Sequence, residues 1–350
     1  MKYRLESNID QSTASAFDAF VTQAPNAHYT QHTGWTSVPS GIPHSRYLFF
    51  IGEDAVGIRL TALVRLRQMP TFGFSLADVF CGPIADSPEF LLEGLSALEE
   101  RLRPMKLLAL RIDPAWSGQG REVLRQGLAR LGYRAVEGQH QHTKRLVIEI
   151  DREPEQLLSS FKRQWRQNVL KALRFQTQVR EDLDDAGLEM FQEIHRQMVA
   201  KKHISGVPVA YFRGIRDYFR TWPQRGFILS SWLGQELLGV VVIFTVGSQA
   251  MYGMGGSSLN YPGIPKTHLL QYTAMQHARA RGCVVYDIGG VGAGFGDVEH
   301  RTPLQQMNFF KRGFGGREVD CIAGHERILK PISYHVIRSA KRSLAFFHGT

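Results

Sequence analysis

Cysteine is scarce in this chain. Cys81, Cys283 and Cys321 are the only three in 350 residues; they stand far apart with no C-x-x-C, which argues against a disulfide framework and a zinc knuckle. Long apolar runs are also missing. The longest, LLGVVVIFTV at 237–246, is far too short to span a bilayer, and the opening MKYRLESNID has no apolar signal core. There is no G-x-x-x-x-G-K-[ST] and no G-x-S-x-G, so P-loop and nucleophile-elbow chemistry find no support. The glycine-rich DIGGVGAGFGD at 287–297 accommodates no G-x-G-x-x-G, and the charged DVEHRTP that runs on from it lacks the apolar helix of a dinucleotide fold. Thirteen histidines include His28 and His32 at i, i+4 and His140 and His142 at i, i+2, yet none stands in an H-E-x-x-H context. No metal site is expected. Sparse cysteine and the lack of a span predict a soluble, cytoplasmic protein.

Positive charge is in excess. The formal charge is +10 with a pI near 9.6, a field attractive to nucleic acids, phosphorylated ligands or anionic headgroups. With 43% hydrophobic residues, 350 residues suffice for two domains with buried cores.

A weak internal duplication organises the chain. YLFFIGEDAVGIRLTALVRLR (47–67) and FILSSWLGQELLGVVVIFTVG (227–247) each read as strand, tight turn, strand, with Gly52 and Gly57 answering to Gly234 and Gly239. Downstream, LADVFCGPIAD (76–86) and QAMYGMGGSSLN (249–260) each read as a strand entering a Gly-rich loop. Helices follow at 89–103, with Leu91, Leu95, Leu98 and Leu102 on one face, and at 266–281. MKLLALRIDP (105–114) and CVVYDIGG (283–290) are then buried-type strands carrying Asp113 and Asp287. Two related α/β domains are expected, over 1–150 plus about 328–350 and over 151–327.

Between the copies, EPEQLLSSFKRQWRQNVLKALRF (153–175) places Leu158, Phe161, Trp165, Val169 and Ala172 at helical spacing, so one amphipathic helix is predicted after Pro154. Its polar side carries Lys162, Arg163, Arg166, Lys171 and Arg174, which read equally as a solvated face or as phosphate and RNA contacts. Helices near 184–201 and 208–221 complete a helical insert, and 327–349 reads as a final helix from Pro331. In NFFKRGFGG (308–316) the two phenylalanines read as anchoring a strand and the glycines as a turn. Amide-forming acyl transfer needs an amine placed against an activated carbonyl and a cation or N–H groups for the oxyanion. Lys311 supplies such a cation.

The ordered motifs YTQHTGW (29–35), CGPI (81–84), RIDP (111–114), RQNVLKA (166–172), YDIGG (286–290) and FFKRGFGG (309–316) resemble those of the Fem-type aminoacyltransferases along nearly the whole chain. That resemblance implies an α/β fold of two tandem acetyltransferase-like (GNAT) domains with mixed sheets and a helical insert in the second. It also implies aminoacyl-tRNA as co-substrate with no other cofactor. The acceptor would be the amine of a peptidoglycan precursor or a small peptide or antibiotic intermediate. Carried onto this sequence, Lys311 is the catalytic cation, with Asp113 and Tyr252 as further catalytic candidates. Lys201, Lys202, Tyr211, Asp287 and Phe310 become substrate-binding candidates, and the five basic residues of 162–174 contact tRNA. CGPI departs from the family in having Cys81 where arginine is usual, and no lysine occurs in TSVPSGIPHSR after Trp35. The tail at 327–349 is expected either to dock on a domain or to make a peripheral membrane contact. Two other readings stay open: acyl-CoA-dependent N-acyl transfer on the same fold, and a non-enzymatic, basic RNA-binding or envelope-associated scaffold.

Overall fold

The computed structural model describes residues 1–136, 143–202, 206–292 and 303–347; His140 and His142 lie outside them. Two compact units result, one of 1–36, 42–143 and 320–350, the other of 37–41 and 144–319. The first runs β1 (Lys2–Glu6), α1 (Gln11–Gln23), β2 (Ser45–Glu53), β3 (Ile58–Met69), β4 (Phe74–Val79), β5 (Ile84–Ala85), α2 (Pro88–Leu102), β6 (Leu107–Ile112), α3 (Gly120–Arg130) and β7 (Arg134–Ala135). The second opens with β8 (Lys144–Glu149), α4 (Pro154–Ser160), α5 (Arg163–Arg174), β9 (Gln178–Glu181), α6 (Asp185–Lys202) and α7 (Val209–Thr221). It continues with β10 (Gly226–Leu233), β11 (Glu236–Val246), β12 (Gln249–Ser257), α8 (Lys266–Ala280), β13 (Val285–Gly290), α9 (Pro303–Arg312) and β14 (Arg317–Asp320). The chain then returns to the first unit with β15 (His325–Ile328) and α10 (Pro331–Phe347).

Strand order is β1-β2-β3-β4-β6-β15-β7 in one sheet, with β5 on β3, and β14-β8-β13-β12-β11-β10-β9 in the other. Read from opposite ends, the two orders correspond strand for strand. In each, the central pair, β4 with β6 and β12 with β13, is parallel, and the pairs on either side of it are antiparallel. The duplication seen in the hairpins therefore extends to whole mixed sheets. A division after residue 150 would leave β8 with the first unit, but β8 pairs with β13, so the break falls between Thr143 and Lys144. Likewise β15 pairs with β6, and the first unit resumes at Asp320 rather than near 328. The first sheet thus draws β15 from the far side of the second unit's sequence.

Burial follows the periodicities. Ser87 caps α2 by accepting from Phe90 N, Pro88 sits in its first turn, and Leu91, Leu95, Leu98 and Leu102 are fully buried beside Leu124 and Leu128 of α3. Each such leucine contributes roughly 1.5–3 kcal/mol. In the second unit α8 lays Leu270, Ala274, Met275 and Ala278 on the strands, and Phe191 of α6 packs edge-on to Phe212 of α7. Tyr334 and Ile337 of α10 dock on Met69, Leu76 and Leu108 of the first unit, so the tail does dock on a domain.

Three expectations are corrected. The 153–175 segment is two helices, because Phe161 and Lys162 are extended: Phe161 drops into the core, and Lys162 N donates to Gly313 O instead of continuing the helix. The glycines of GMGG lie inside β12 rather than in a loop after it, with Gly253 the extra residue of a bulge opposite Val242 and Ile243. Phe309, Phe310 and Lys311 end a helix, α9, not a strand. The glycines after it serve packing. A Cβ on Gly313 would fall inside the Trp165 indole, and Gly316, at φ +91°, lies against Val147 O. Gly313→Ala is expected to lose about 1–3 kcal/mol through overpacking. Its thermal midpoint should fall while that of Gly263→Ala, whose Cβ meets open space, stays at the wild-type value.

Candidate functional site

The parallel ladder between β12 and β13 is short. It runs from Gln249–Val285 to Met251–Asp287, after which the strands part. Ligands in open α/β sheets settle at the carboxyl ends of such strands, and Lys311 of α9 reaches into this opening. Its side chain is buried, and Nζ donates to Gly290 O at 2.8 Å, the one hydrogen bond it makes among the described residues. Burial pulls its ammonium down to about 8, against the favourable field of Asp287. Asp287 is itself buried: Oδ2 is ion-paired with Arg145, and Oδ1 accepts from Gly289 N at 2.7 Å. Tyr252 stands where the strands part, and burial pushes its hydroxyl up to about 12. Lys311 and Asp287 thus come together, with Arg145 joining them unannounced by any motif, while Tyr252 brings its backbone beside Gly289 and turns its hydroxyl toward Gly255.

An aromatic clamp fixes the end of α9. Trp165 Nε1 donates to Phe310 O at 3.0 Å, and its ring meets those of Phe309 and His268. The Phe310 and Phe314 rings also contact His268. Asn168 Nδ2 donates to His268 Nε2 at 3.0 Å, which places the ring proton on Nδ1, where it has no partner among the described residues. Burial lowers this imidazole to about 4, so it is neutral at ordinary pH. Sequence reasoning missed His268; its signal was the asparagine of RQNVLKA, whose partner is a hundred residues away.

The basic helix divides. Lys162, Arg163, Lys171 and Arg174 are exposed. Arg166 turns inward instead and donates to Ser159 O and Phe161 O, both at 2.8 Å, tying off the end of α4. Tyr211 sits at the start of α7 with its ring edge-on to Phe212. Lys201 and Lys202 end α6, and their side chains lie outside the described residues.

In the first unit the equivalent opening is closed. Asp113 N, just past β6, donates to Val79 O and Gly82 O, drawing the β4 end toward β6. Gln31, fully buried, fills the space between β4 and β5: Oε1 accepts from Leu63 N at 2.8 Å and Nε2 donates to Phe80 O at 2.6 Å. The glutamine of YTQHTGW therefore bridges the break between β4 and β5 along β3. Asp113 remains notable, because its carboxyl is buried, Oδ1 has no partner among the described residues, and burial together with Asp78 pushes it up to about 7. Among the described residues no group of three histidine, cysteine or acidic side chains is placed to hold a metal.

Comparison with known proteins agrees with this architecture. The pattern of the FemAB family matches residues 12–229 and 234–342. Lipid II:glycine glycyltransferase of Staphylococcus aureus is 23% identical over 95% of this chain and 95% of its own length. The crystal structure of FemX superposes with a TM-score of 0.82 at 20% identity, covering 96% of this chain and all of that one. A tandem GNAT protein from the clavulanic acid biosynthesis pathway gives a TM-score of 0.56 at 11% identity over 93% of this chain and 98% of its own. The fold is that of two tandem GNAT-like domains.

Folding lifts the Asp113 carboxyl from the ordinary range to about 7, so between about pH 4 and 7 the folded chain holds a proton that the unfolded chain has released. Its contribution is full below pH 4 and lost by pH 7. Asp113→Asn should remove that part of the slope, so the urea midpoint of the variant rises relative to wild type between pH 4.5 and 7. Parallel curves for the two proteins would refute the assignment.

Proposed function

The chain belongs to the FemAB family and is an aminoacyltransferase, and we propose that its donor is an aminoacyl-tRNA and its acceptor an amine on a peptidoglycan precursor. One observation carries the chemistry: the Lys311 ammonium, desolvated beside the parted strands, with one N–H committed to Gly290 O and no other partner among the described residues. The acceptor nitrogen attacks the ester carbonyl of the donor, the C–N bond forms, and the carbonyl oxygen takes negative charge against Lys311 Nζ. The C–O bond to the ribose then breaks, and the proton lost from the amine ends on the ribose oxygen. Lys311 keeps its proton throughout and acts as a preorganised charge in a poorly hydrated site, where such a charge stabilises an oxyanion far better than in water. Tyr252, at the same opening, is proposed to bound the slot, and Asp287 and Phe310 to hold Lys311 toward it.

We assign the other groups by the family resemblance and, for the helix, by charge and exposure. Lys162, Arg163, Lys171 and Arg174 are proposed to meet tRNA phosphates, and Lys201, Lys202 and Tyr211 to meet the precursor. A lipid-linked acceptor would bring the protein to a membrane surface, where Ile332 and Val336, 84% and 63% exposed on α10, are the apolar contacts proposed. No described helix is long and apolar enough to cross a membrane.

Transfer should require charged tRNA and stop on RNase treatment. Lys311→Met is expected to lower kcat by about 10²–10³, the usual cost of removing one oxyanion donor. In the wild type the rate should fall as pH rises through about 8, because Lys311 then loses its charge. RNase-resistant transfer from acetyl-CoA would replace this reading with acyl-CoA-dependent chemistry.

A further inference from the structure

α9 buries two polar side chains on the face that carries Phe310. Its inward residues include Lys311 and, one turn earlier, Asn308, only 1% exposed, whereas Met307 and Phe309 are 39% and 41% exposed. A helix selected only for packing turns its apolar stripe inward. The Asn308 side chain adds a second anomaly: Oδ1 is buried and has no hydrogen-bond partner among the described residues. An unpaired buried acceptor costs about 1–3 kcal/mol, and a leucine of similar size would fill the space without that cost.

We propose that Asn308 is a specificity residue, its Oδ1 accepting an N–H from the α-amino group of the aminoacyl donor whose carbonyl oxygen Lys311 holds. This rests on the functional reading above. Side chains three apart on a helix are neighbours, with Cβ atoms about 5–6 Å apart. The amino group and carbonyl oxygen of an aminoacyl ester flank one Cα–C bond, so a single helix face can address both. A neutral amide suits the position. A carboxylate would pair with Lys311 and hold it off the carbonyl, whereas an amide oxygen accepts from an amine without neutralising the lysine. The amino group is also what separates an aminoacyl ester from an ordinary acyl ester.

The test compares two donors, a tRNA carrying an amino acid and the same tRNA carrying that acid without its amino group, in wild type and Asn308→Leu. Wild type should prefer the amino-bearing donor by tenfold or more in kcat/KM. Asn308→Leu should lose about tenfold on that donor alone, bringing the ratio near one, while its thermal midpoint holds or rises. A purely structural asparagine would leave the ratio untouched, and a wild-type ratio in an active variant overturns the proposal. Should Asn308→Leu not fold, Asn308→Asp should move the alkaline fall in rate to higher pH by placing a carboxylate near Lys311, and an unmoved limb overturns it equally. Wild type inactive with both donors would overturn the functional reading itself, and this inference with it.

Discussion

Everything at the candidate site depends on how few residues of β12 and β13 are paired. A parallel ladder carried further would consume the backbone groups of Tyr252 and Gly289–Gly290 in strand pairing and leave nowhere for a side chain to enter. Because the ladder stops at Met251 and Asp287, the Gly290 carbonyl is left to accept from a lysine, and that lysine is held in a poorly hydrated place. The bulge at Gly253, the tether from Gly289 N to Asp287, and the clamp of Trp165 and His268 on α9 all maintain that opening.

The two units show one topology put to two uses. The second keeps its strands apart, whereas the first carries the matching β4–β6 ladder further and ties its end through Asp113 N; on the other side of β4, along β3, one glutamine amide imitates a piece of missing strand by accepting from Leu63 and donating to Phe80. A buried side-chain amide can do this because it carries the same donor and acceptor groups as a peptide bond. One unit is left with an open slot, and the other with a closed strand end beside the Asp113 carboxyl, whose Oδ1 has no partner among the described residues.

Local pattern made much of this legible. The hairpins, α2, α6, α7, α8 and the start of α10 at Pro331 could be read from apolar spacing and turn residues, and the ordered motifs indicated the family and Lys311. What stayed hidden was either nonlocal or inverted. No periodicity reveals that β8 and β15 join sheets distant in sequence, that Asn168 holds His268, or that Gln31 reaches Leu63. The break at Phe161–Lys162 depends on a carbonyl at Gly313. α9 escaped because Asn308 and Lys311 are buried on the same side as Phe310 while Met307 and Phe309 are partly exposed, which blurred the amphipathic signal at the place where chemistry required it.

The return of β15 to the first sheet also bears on how the chain is made. Arg111 of β6 pairs with Glu326 of β15 across 215 residues, so the sheet that contains β1 cannot be completed until synthesis has passed residue 328. Until then the outer edge of β6 stands uncovered, a strand with unsatisfied peptide groups waiting for its neighbour. The second unit, whose β8 precedes it, has all the strands of its sheet through β14 before that moment arrives. The half of the protein translated first is therefore the half that finishes folding last, and its closing step brings together residues that contribute heavily to contact order.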